Sequence, residues 1–254
     1  MENKFTMTVE DNIFWAKRNI VDTIYKNAKL EGINVTFPDT QAIIEGGIIN
    51  DLKSEDVDKV LAMKHAWEFI VDTVDYPLSY AYLCELHKLC APDVPSSLRG
   101  KLRNVPVQIG GTEWQPTFPI ESAIKEELSD CLAIENPTDR ALTTMLWVMR
   151  RQMFLDGNKR TAMLMGNRIL IENGCGIVAL KESDLPEFGM KLIHFYETGD
   201  MEDVKKFVYE NAITGFDSDK AIQKSETIDE KVSAAVKKMN RQETKKSDHE
   251  DNCL

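Results

Sequence analysis

The residues best suited to bind a ligand follow one another between two apolar segments, in the order Asp156, Gly157, Asn158, Lys159 and Arg160. Gly157 and Asn158 favour a turn with unusual backbone angles, and the apolar pattern that begins at Lys159 predicts a helix. The first N–H groups of a helix have no partner within it and lie at the positive end of its dipole, so this spacing predicts an anion site. Two cations at a helix start oppose the dipole, an arrangement that a bound anion would stabilise.

A polyphosphate is the anion that these residues suit best. Asp156 stands beside the loop, where its carboxylate can hold a Mg²⁺ ion that also touches the phosphates. The residues therefore suggest a site for ATP or another nucleotide together with Mg²⁺. A turn between two helices whose charges are merely solvated explains the same residues, because short Gly-Asn turns are common. The pattern alone leaves both interpretations open.

Composition restricts the class of protein. The chain has 254 residues, of which 43% are hydrophobic and 29% charged, and its net charge is −11. No apolar run approaches the roughly 20 residues that cross a membrane, the start does not resemble a secretory signal, and the negative charge disfavours DNA. The cysteines Cys84, Cys90, Cys131, Cys175 and Cys253 are scattered and predict neither a zinc site nor disulfides. We therefore expect a cytoplasmic protein without DNA or membrane partners.

Helical periodicity predicts an all-α fold with one short β-hairpin. Apolar stripes at spacings of three and four cover residues 13–28, 57–71, 80–89, 120–132, 139–153, 159–172, 183–198 and 201–211. Alternating apolar residues in Val105–Ile109, followed by two glycines, predict a hairpin within residues 105–119, which we call the flap. Pro106 has no N–H to donate and makes this strand an edge strand at best.

The segment from Gln152 to Arg160 resembles the signature loop of the Fic/Doc (Fido) family, H-x-F-x-D/E-G/A-N-G/K-R. The matching positions are Phe154, Asp156, Gly157, Asn158, Lys159 and Arg160. The flap is similar to the family segment that aligns a target peptide by strand addition. The resemblance covers residues 37–216 and implies a Fic-type helical domain there. Residues 1–36 would be a helical lead, and residues 217–254 a charged tail with a possible helix at 228–239 followed by disorder.

This resemblance implies transfer of AMP from Mg-ATP to a hydroxyl group of an unknown target protein. The metal would be held by Asp156 and the phosphates by Gly157, Asn158, Lys159 and Arg160. The target backbone would lie on Ile109, Gly110, Gly111 and Thr112. Phe154 would anchor the loop in the core.

Gln152 stands where the family has the histidine that removes a proton from the target hydroxyl. Glutamine does not titrate and can only donate or accept hydrogen bonds, and loss of a general base typically costs about 10²–10⁴ in rate. We expect AMP transfer that is weakened, with Gln152 orienting the acceptor. The alternative is a pseudoenzyme that binds nucleotide without chemistry.

Lys159 is a second departure, because most of the family has glycine there. Lysine resembles the Doc branch, which transfers the terminal phosphate. A Doc-like phosphotransferase or toxin component is therefore a further alternative.

The segment Thr40–Gly46 resembles the inhibitory S/T-x-x-x-E-G helix of many Fic proteins. By this resemblance Glu45 is an inhibitory candidate. The arginine that it would normally pair with is replaced by Met163, so Glu45 would reach Arg160 or Lys159 instead. The plain alternative is a helix capped by Thr40 with Glu45 on its surface.

Overall fold

The computed structural model describes residues 1–47, 49 and 52–217, which contain ten α-helices, one 3-10 turn (Glu182–Asp184) and one two-stranded sheet. The helices are α1 (Val9–Arg18), α2 (Ile20–Leu30), α3 (Phe37–Ile44), α4 (Ser54–Asp72), α5 (Tyr80–Cys90), α6 (Glu121–Leu132), α7 (Pro137–Arg151), α8 (Asn158–Glu172), α9 (Leu185–Thr198) and α10 (Glu202–Asn211). The predicted all-α class is confirmed. Within these ranges, no helix combines the length and hydropathy of a membrane span. The tail predictions beyond residue 217 lie outside the described residues.

Helix α8 is the centre of the fold. All its residues except Lys159 and Glu172 are buried, as expected of a helix that is covered on every side. It packs against α7, α5, α4 and α1. Gly166 lets α7 come close, because a Cβ at this position would lie 3.2 Å from the Cβ of Met145. Helix α8 is therefore held firmly by its neighbours.

The helical lead belongs to the same compact unit as the later helices, which spans Met1–Gly215. Its apolar stripe is divided at Asn19, whose φ of −102° and ψ of 13° separate α1 from α2. Buried Asn12 donates to the carbonyl of Gly176 at 3.1 Å and accepts from its N–H at 2.7 Å. The Met7 N–H donates to the Gly174 carbonyl at 2.8 Å. These bonds attach the lead to the turn after α8.

The prediction of a hairpin in the flap is wrong, because residues 91–120 contain neither strand nor helix. Several flap carbonyls that a partner strand would use accept hydrogen bonds from the Arg103 side chain instead. The sheet of the described residues lies elsewhere, where β1 (Ile177–Val178) pairs antiparallel with β2 (Ile213–Thr214). The flap is thus an extended loop between α5 and α6.

Candidate functional site

The loop between α7 and α8 begins at a strained residue. Helix α7 ends at Arg151. The next residue, Gln152, has φ 45° and ψ 48° and is the one non-glycine residue of the described chain with positive φ. A side chain in this left-handed region costs about 1–3 kcal/mol, which the surrounding contacts must offset. Gly157, at φ 74°, makes the second sharp turn and precedes α8. The two turns set the position of the α8 start.

The Asn158 side chain closes the loop. Its Oδ1 accepts from the Phe154 N–H at 3.0 Å, while its Nδ2 donates to the Phe154 carbonyl at 2.9 Å and to Gln152 Oε1 at 3.2 Å. The Asn158 side chain is therefore committed to the loop, so only its backbone N–H is left to contact a ligand. Phe154 is fully buried.

His87 supports the loop from α5. Its ring stacks on Phe154 with centroids 3.9 Å apart, and its Nδ1 accepts from the Gly100 N–H at 2.8 Å. The other nitrogen, Nε2, then carries the proton and donates to the Asp156 carbonyl at 2.8 Å. Burial lowers the pKa of His87 to about 4 and keeps the ring neutral. With both nitrogens in use, His87 positions the loop and does not replace the missing base.

The start of α8 opens onto a cleft of about 330 Å³. Its lining residues are Glu31, Val107, Gln108, Gln152, Leu155, Asp156, Asn158 and Lys159. The first N–H groups of a helix have no partner within it, and no side-chain hydrogen bond caps this end of α8. The side chain of Asp156 is 65% exposed beside them. The cleft therefore brings together uncapped amides, a carboxylate and Gln152.

Arg160 is not free to meet a phosphate in the way the sequence led us to expect. It is 3% exposed, and its Nη1 and Nη2 donate to the two carboxylate oxygens of Asp93, both at 2.9 Å. Its Nε lies 3.2 Å from Glu31 Oε2. Burial opposes the positive charge, but the hydrogen bonds to Asp93 and the charge of Glu31 outweigh burial and raise the pKa of Arg160. The positive charge of Arg160 is therefore balanced by Asp93 and Glu31.

Glu31 occupies the place in which Glu45 was expected. It follows the end of α2 and lines the cleft, with Oε1 3.8 Å from Lys159 Nζ. Lys159 also donates to the Leu30 carbonyl at 3.3 Å. Glu45 is exposed at the end of α3 and accepts from Gln41 Nε2 at 2.9 Å. The structure therefore does not bring Glu45 to the site.

The sequence contains a physical signal for Glu31. A carboxylate at a helix C-terminus is disfavoured by the dipole, just as the cations at the start of α8 are. The negative charge of Glu31 and the positive charges of Lys159 and Arg160 therefore stabilise one another.

Thr40 also differs from expectation, because the α3 cap is Thr36 and Thr40 is buried inside the helix.

The donor set at Asp156 fits Mg²⁺ only if a ligand contributes oxygens. The described residues contain no group of three or more His, Cys, Asp or Glu side chains that could hold a metal ion alone. Mg²⁺ is commonly held by one or two carboxylates together with substrate phosphates and water. Asp156, exposed beside the uncapped amides, satisfies that condition.

The flap reaches from this cleft to helix α9. Val107 and Gln108 line the cleft. Farther along, a Cβ on Gly111 would lie 3.0 Å from the Cδ1 of Ile193, and Thr112 Oγ1 donates to Glu197 Oε1 at 2.7 Å. Gly110 is exposed, whereas Ile109 packs on the core. The four residues predicted to hold a target, Ile109–Thr112, thus come directly after the two flap residues that line the cleft.

Arg103 joins the flap to the loop. Its Nε donates to the Gln152 carbonyl at 2.7 Å, its Nη1 to the Val105 carbonyl at 2.9 Å, and its Nη2 to the Thr117 carbonyl at 2.7 Å. The Arg103 N–H also donates to the Met153 carbonyl at 3.0 Å. Sequence reasoning missed this residue, because no local motif marks it.

Residues 77–170 match the family model described as Fic/DOC family. Protein adenylyltransferase fic-1 of Caenorhabditis briggsae is 25% identical over 198 residues, which are 73% of this chain and 38% of that protein. Protein adenylyltransferase Fic of Drosophila willistoni is 26% identical over 194 residues, again 73% of this chain and 38% of that protein. The chain therefore spans about two fifths of the length of these curated relatives.

Solved structures of low sequence identity share this fold. Fic-1 of Caenorhabditis elegans superposes with a TM-score of 0.69 at 21% identity, over 77% of this chain and 60% of that one. A Fic-domain signalling protein of Bacteroides thetaiotaomicron gives a TM-score of 0.65 at 19% identity, over 78% and 83%. At these identities the likeness concerns the fold.

Proposed function

Because the chain is a Fic/Fido-family protein, we propose that it binds ATP at the start of α8 and transfers AMP to a hydroxyl group of a protein. One observation carries the proposal: the uncapped α8 N-terminus opens onto a cleft that also contains Asp156 and Gln152. The curated relatives named above are protein adenylyltransferases, which supports the same chemistry.

In this proposal the phosphates bind to the first amides of α8, with Lys159 beside them. Helix N-termini suit phosphate because the free N–H groups and the dipole both favour negative charge. Asp156 would hold Mg²⁺, which would neutralise charge on the phosphates. Asn158 would contribute through its backbone N–H, since its side-chain amide is occupied by the loop. Gly157 would contribute its left-handed turn, since its N–H already donates to Asp156 Oδ1 at 2.6 Å.

The reaction would join the target hydroxyl oxygen to the α-phosphorus and break the bond to the pyrophosphate, which leaves. Gln152 has no titrating group, so the hydroxyl proton would go to water. Positioning and charge stabilisation account for most of the catalysis of phosphoryl transfer. We therefore expect slow transfer.

A second candidate is nucleotide binding without transfer. The Gln152 amide favours it, because Nε2 donates to the Met149 carbonyl at 2.7 Å while Oε1 accepts from Asn158. An amide engaged at both ends holds the loop and is not free to orient an acceptor. The Doc-like phosphotransferase rests on Lys159 alone.

We further propose that Glu31 restrains nucleotide binding at this site. A polyphosphate and Glu31 would compete for Lys159 and for the space in front of the α8 amides. Glu31 Oε1 is buried without a hydrogen-bond partner among the described residues, and such an unsatisfied oxygen is costly to retain. Glu31 replaces Glu45 as the residue proposed to restrain the site.

The proposed partners are a nucleotide and a protein target whose backbone lies along the flap. The net charge of −11 opposes DNA binding. We retain the cytoplasm as the expected compartment, because scattered cysteines fit reducing surroundings.

Incubation of the purified protein, alone and with cell extract, with ATP labelled on either the α- or the γ-phosphate tests the function. Protein label from the α-position is expected and means AMP transfer; label from the γ-position alone would mean phosphorylation. No label, with Mg-ATP binding measured by calorimetry, would favour the binding protein. Absence of any Mg-ATP binding would contradict all these functions.

The substitution Gln152→His should raise transfer by about 10²–10⁴-fold, because it supplies the general base. Histidine tolerates positive φ better than most residues, so the loop should retain its shape. Gln41→His, at an exposed position of α3, is the control and should leave the rate unchanged.

A further inference from the structure

A second cleft, of about 420 Å³, lies along the other half of the flap. Its lining residues are Trp114, Gln115, Pro116, Thr117, Glu127, Trp147, Arg150, Arg151, Phe195, Gly199 and Met201. None of them lines the cleft at the start of α8. The flap contributes residues to both clefts, so a chain bound along the flap would pass from one to the other.

Arg150 is held rigidly in this second cleft. Its guanidinium carbon lies 4.8 Å from the Trp114 ring centroid and 5.6 Å from that of Phe195. Its Nε donates to the carbonyls of Phe195 and Tyr196, at 3.1 and 3.2 Å. These contacts engage the two rings and Nε, and they leave the two terminal nitrogens of the guanidinium for a ligand.

No carboxylate of the described chain forms an ion pair with Arg150. Gly199 leaves room beside the terminal nitrogens, because a Cβ there would lie 3.6 Å from Nη2. Burial, and then repulsion from Arg151, lowers the pKa of Arg150. A carboxylate bound at Nη1 and Nη2 would offset both effects.

The neighbouring Arg151 is different, because its charge is already balanced. Its Nε donates to Glu127 Oε2 at 2.9 Å, and its Nη1 donates to Thr117 Oγ1 at 2.5 Å. Glu127 also accepts from Trp147 Nε1 at 2.8 Å. With two arginines and one glutamate in the lining, the cleft has one uncompensated positive charge.

We propose that this cleft binds an aspartate or glutamate side chain of the protein substrate and thereby selects the segment that is modified. The inference rests on the proposed function, since it requires a target that lies along the flap. A planar guanidinium with two free nitrogens matches a carboxylate, and the indole, phenyl and methionine walls suit the methylene stem of that side chain. A small inorganic anion has no methylene stem and would make no apolar contacts with those walls.

A degenerate library of synthetic peptides, each with a central threonine, provides the test. The full-length protein is immobilised and the retained peptides are sequenced. For the unsubstituted protein we expect Asp and Glu to be enriched several-fold at one position relative to Asn and Gln. Arg150→Gln should abolish the enrichment, and Arg150→Lys, which keeps the charge without the planar group, should retain part of it.

Arg18→Gln, which removes one exposed positive charge from α1, is the matched control and should keep the full enrichment. A library that shows no acidic preference on the unsubstituted protein would overturn the inference. So would a preference that survives Arg150→Gln. If Arg150→Gln does not fold by circular dichroism, the comparison of Arg150→Lys with the unsubstituted protein decides.

Calorimetry with Mg-ATP on the same proteins separates this inference from the proposed function. Arg150→Gln should bind Mg-ATP as the unsubstituted protein does. Loss of nucleotide binding in this variant would assign the cleft to the nucleotide and overturn the inference. An Arg150-dependent acidic preference without any Mg-ATP binding would instead contradict the proposed function and leave a peptide-binding cleft.

Discussion

At the scale of single residues, the charges around the α8 start are balanced by residues from elsewhere in the chain. Arg160 is paired with Asp93, whose own pKa is lowered by that pairing against the opposing effect of burial. Lys159, with 37% of its side chain exposed, has the weaker pairing with Glu31 at 3.8 Å. Of the two cations, Lys159 is thus the one that we propose to bind phosphate.

The substitution Glu31→Gln should increase the affinity for Mg-ATP about tenfold, equivalent to roughly 1.4 kcal/mol. The amide retains the shape of Glu31 but removes the charge that repels phosphate and attracts Lys159. Calorimetry on Glu31→Gln and on the control Glu45→Gln measures the effect, and the control should match the unsubstituted protein. Equal affinities for all three proteins would exclude Glu31 as a restraint.

At the scale of elements, the flap is shaped by one side chain and not by strand pairing. Arg103 is 5% exposed and binds carbonyls at both ends of the flap as well as the Gln152 carbonyl. It therefore couples the segment proposed to hold the target to the loop proposed to hold the nucleotide. Pro106, which the sequence marked as incompatible with a central strand, is consistent with this outcome.

The substitution Arg103→Lys should release the flap, because a single ammonium cannot reach all these carbonyls. We expect hydrogen exchange of the amides in residues 105–119 to accelerate by about tenfold or more, with a smaller change in Mg-ATP affinity. Arg99→Lys is the matched control, since Arg99 also donates to backbone carbonyls, those of Pro92 and Val94, outside the flap. Equal exchange of the flap in both variants would refute the role given to Arg103.

Element predictions from the sequence succeeded where the pattern was local. The stripe at 159–172 corresponds to α8, and the one at 139–153 corresponds to α7, which is capped by Asn136. The stripe at 13–28 misses the break at Asn19, because residues on both sides of it stay in phase. In the flap, alternating apolar residues predict a strand that does not form, since the pattern does not reveal what accepts or donates the backbone hydrogen bonds.

At the scale of the whole molecule, acid should destabilise the compact unit through His87. Its pKa is about 4 when folded, against an ordinary value of 6.5, so the unfolded chain binds the proton more readily. This contribution to stability is complete above pH 6.5 and is lost as the pH falls towards 4. At pH 5 the loss from this residue amounts to about 2 kcal/mol.

Urea unfolding at pH 7 and pH 5 measures that loss. The difference in free energy of unfolding between the two pH values should be smaller in His87→Asn than in the unsubstituted protein. His65→Asn, at an exposed position of α4, should retain the full difference. An unchanged difference in His87→Asn would show that His87 does not remain neutral in the folded state.

The sequence by itself determined the helices and the loop that presents the α8 N-terminus, because periodicity and turn chemistry depend on neighbouring residues. Tertiary structure decided what surrounds that loop. Leu30 and His87, which contact it, lie 129 and 69 residues away from their partners. Glu31 and Glu45 both end a helix and carry the same charge, so no local pattern separates them. Only the tertiary fold brings the C-terminal end of α2 to the start of α8, where Glu31 reaches Lys159, and leaves Glu45 in solvent.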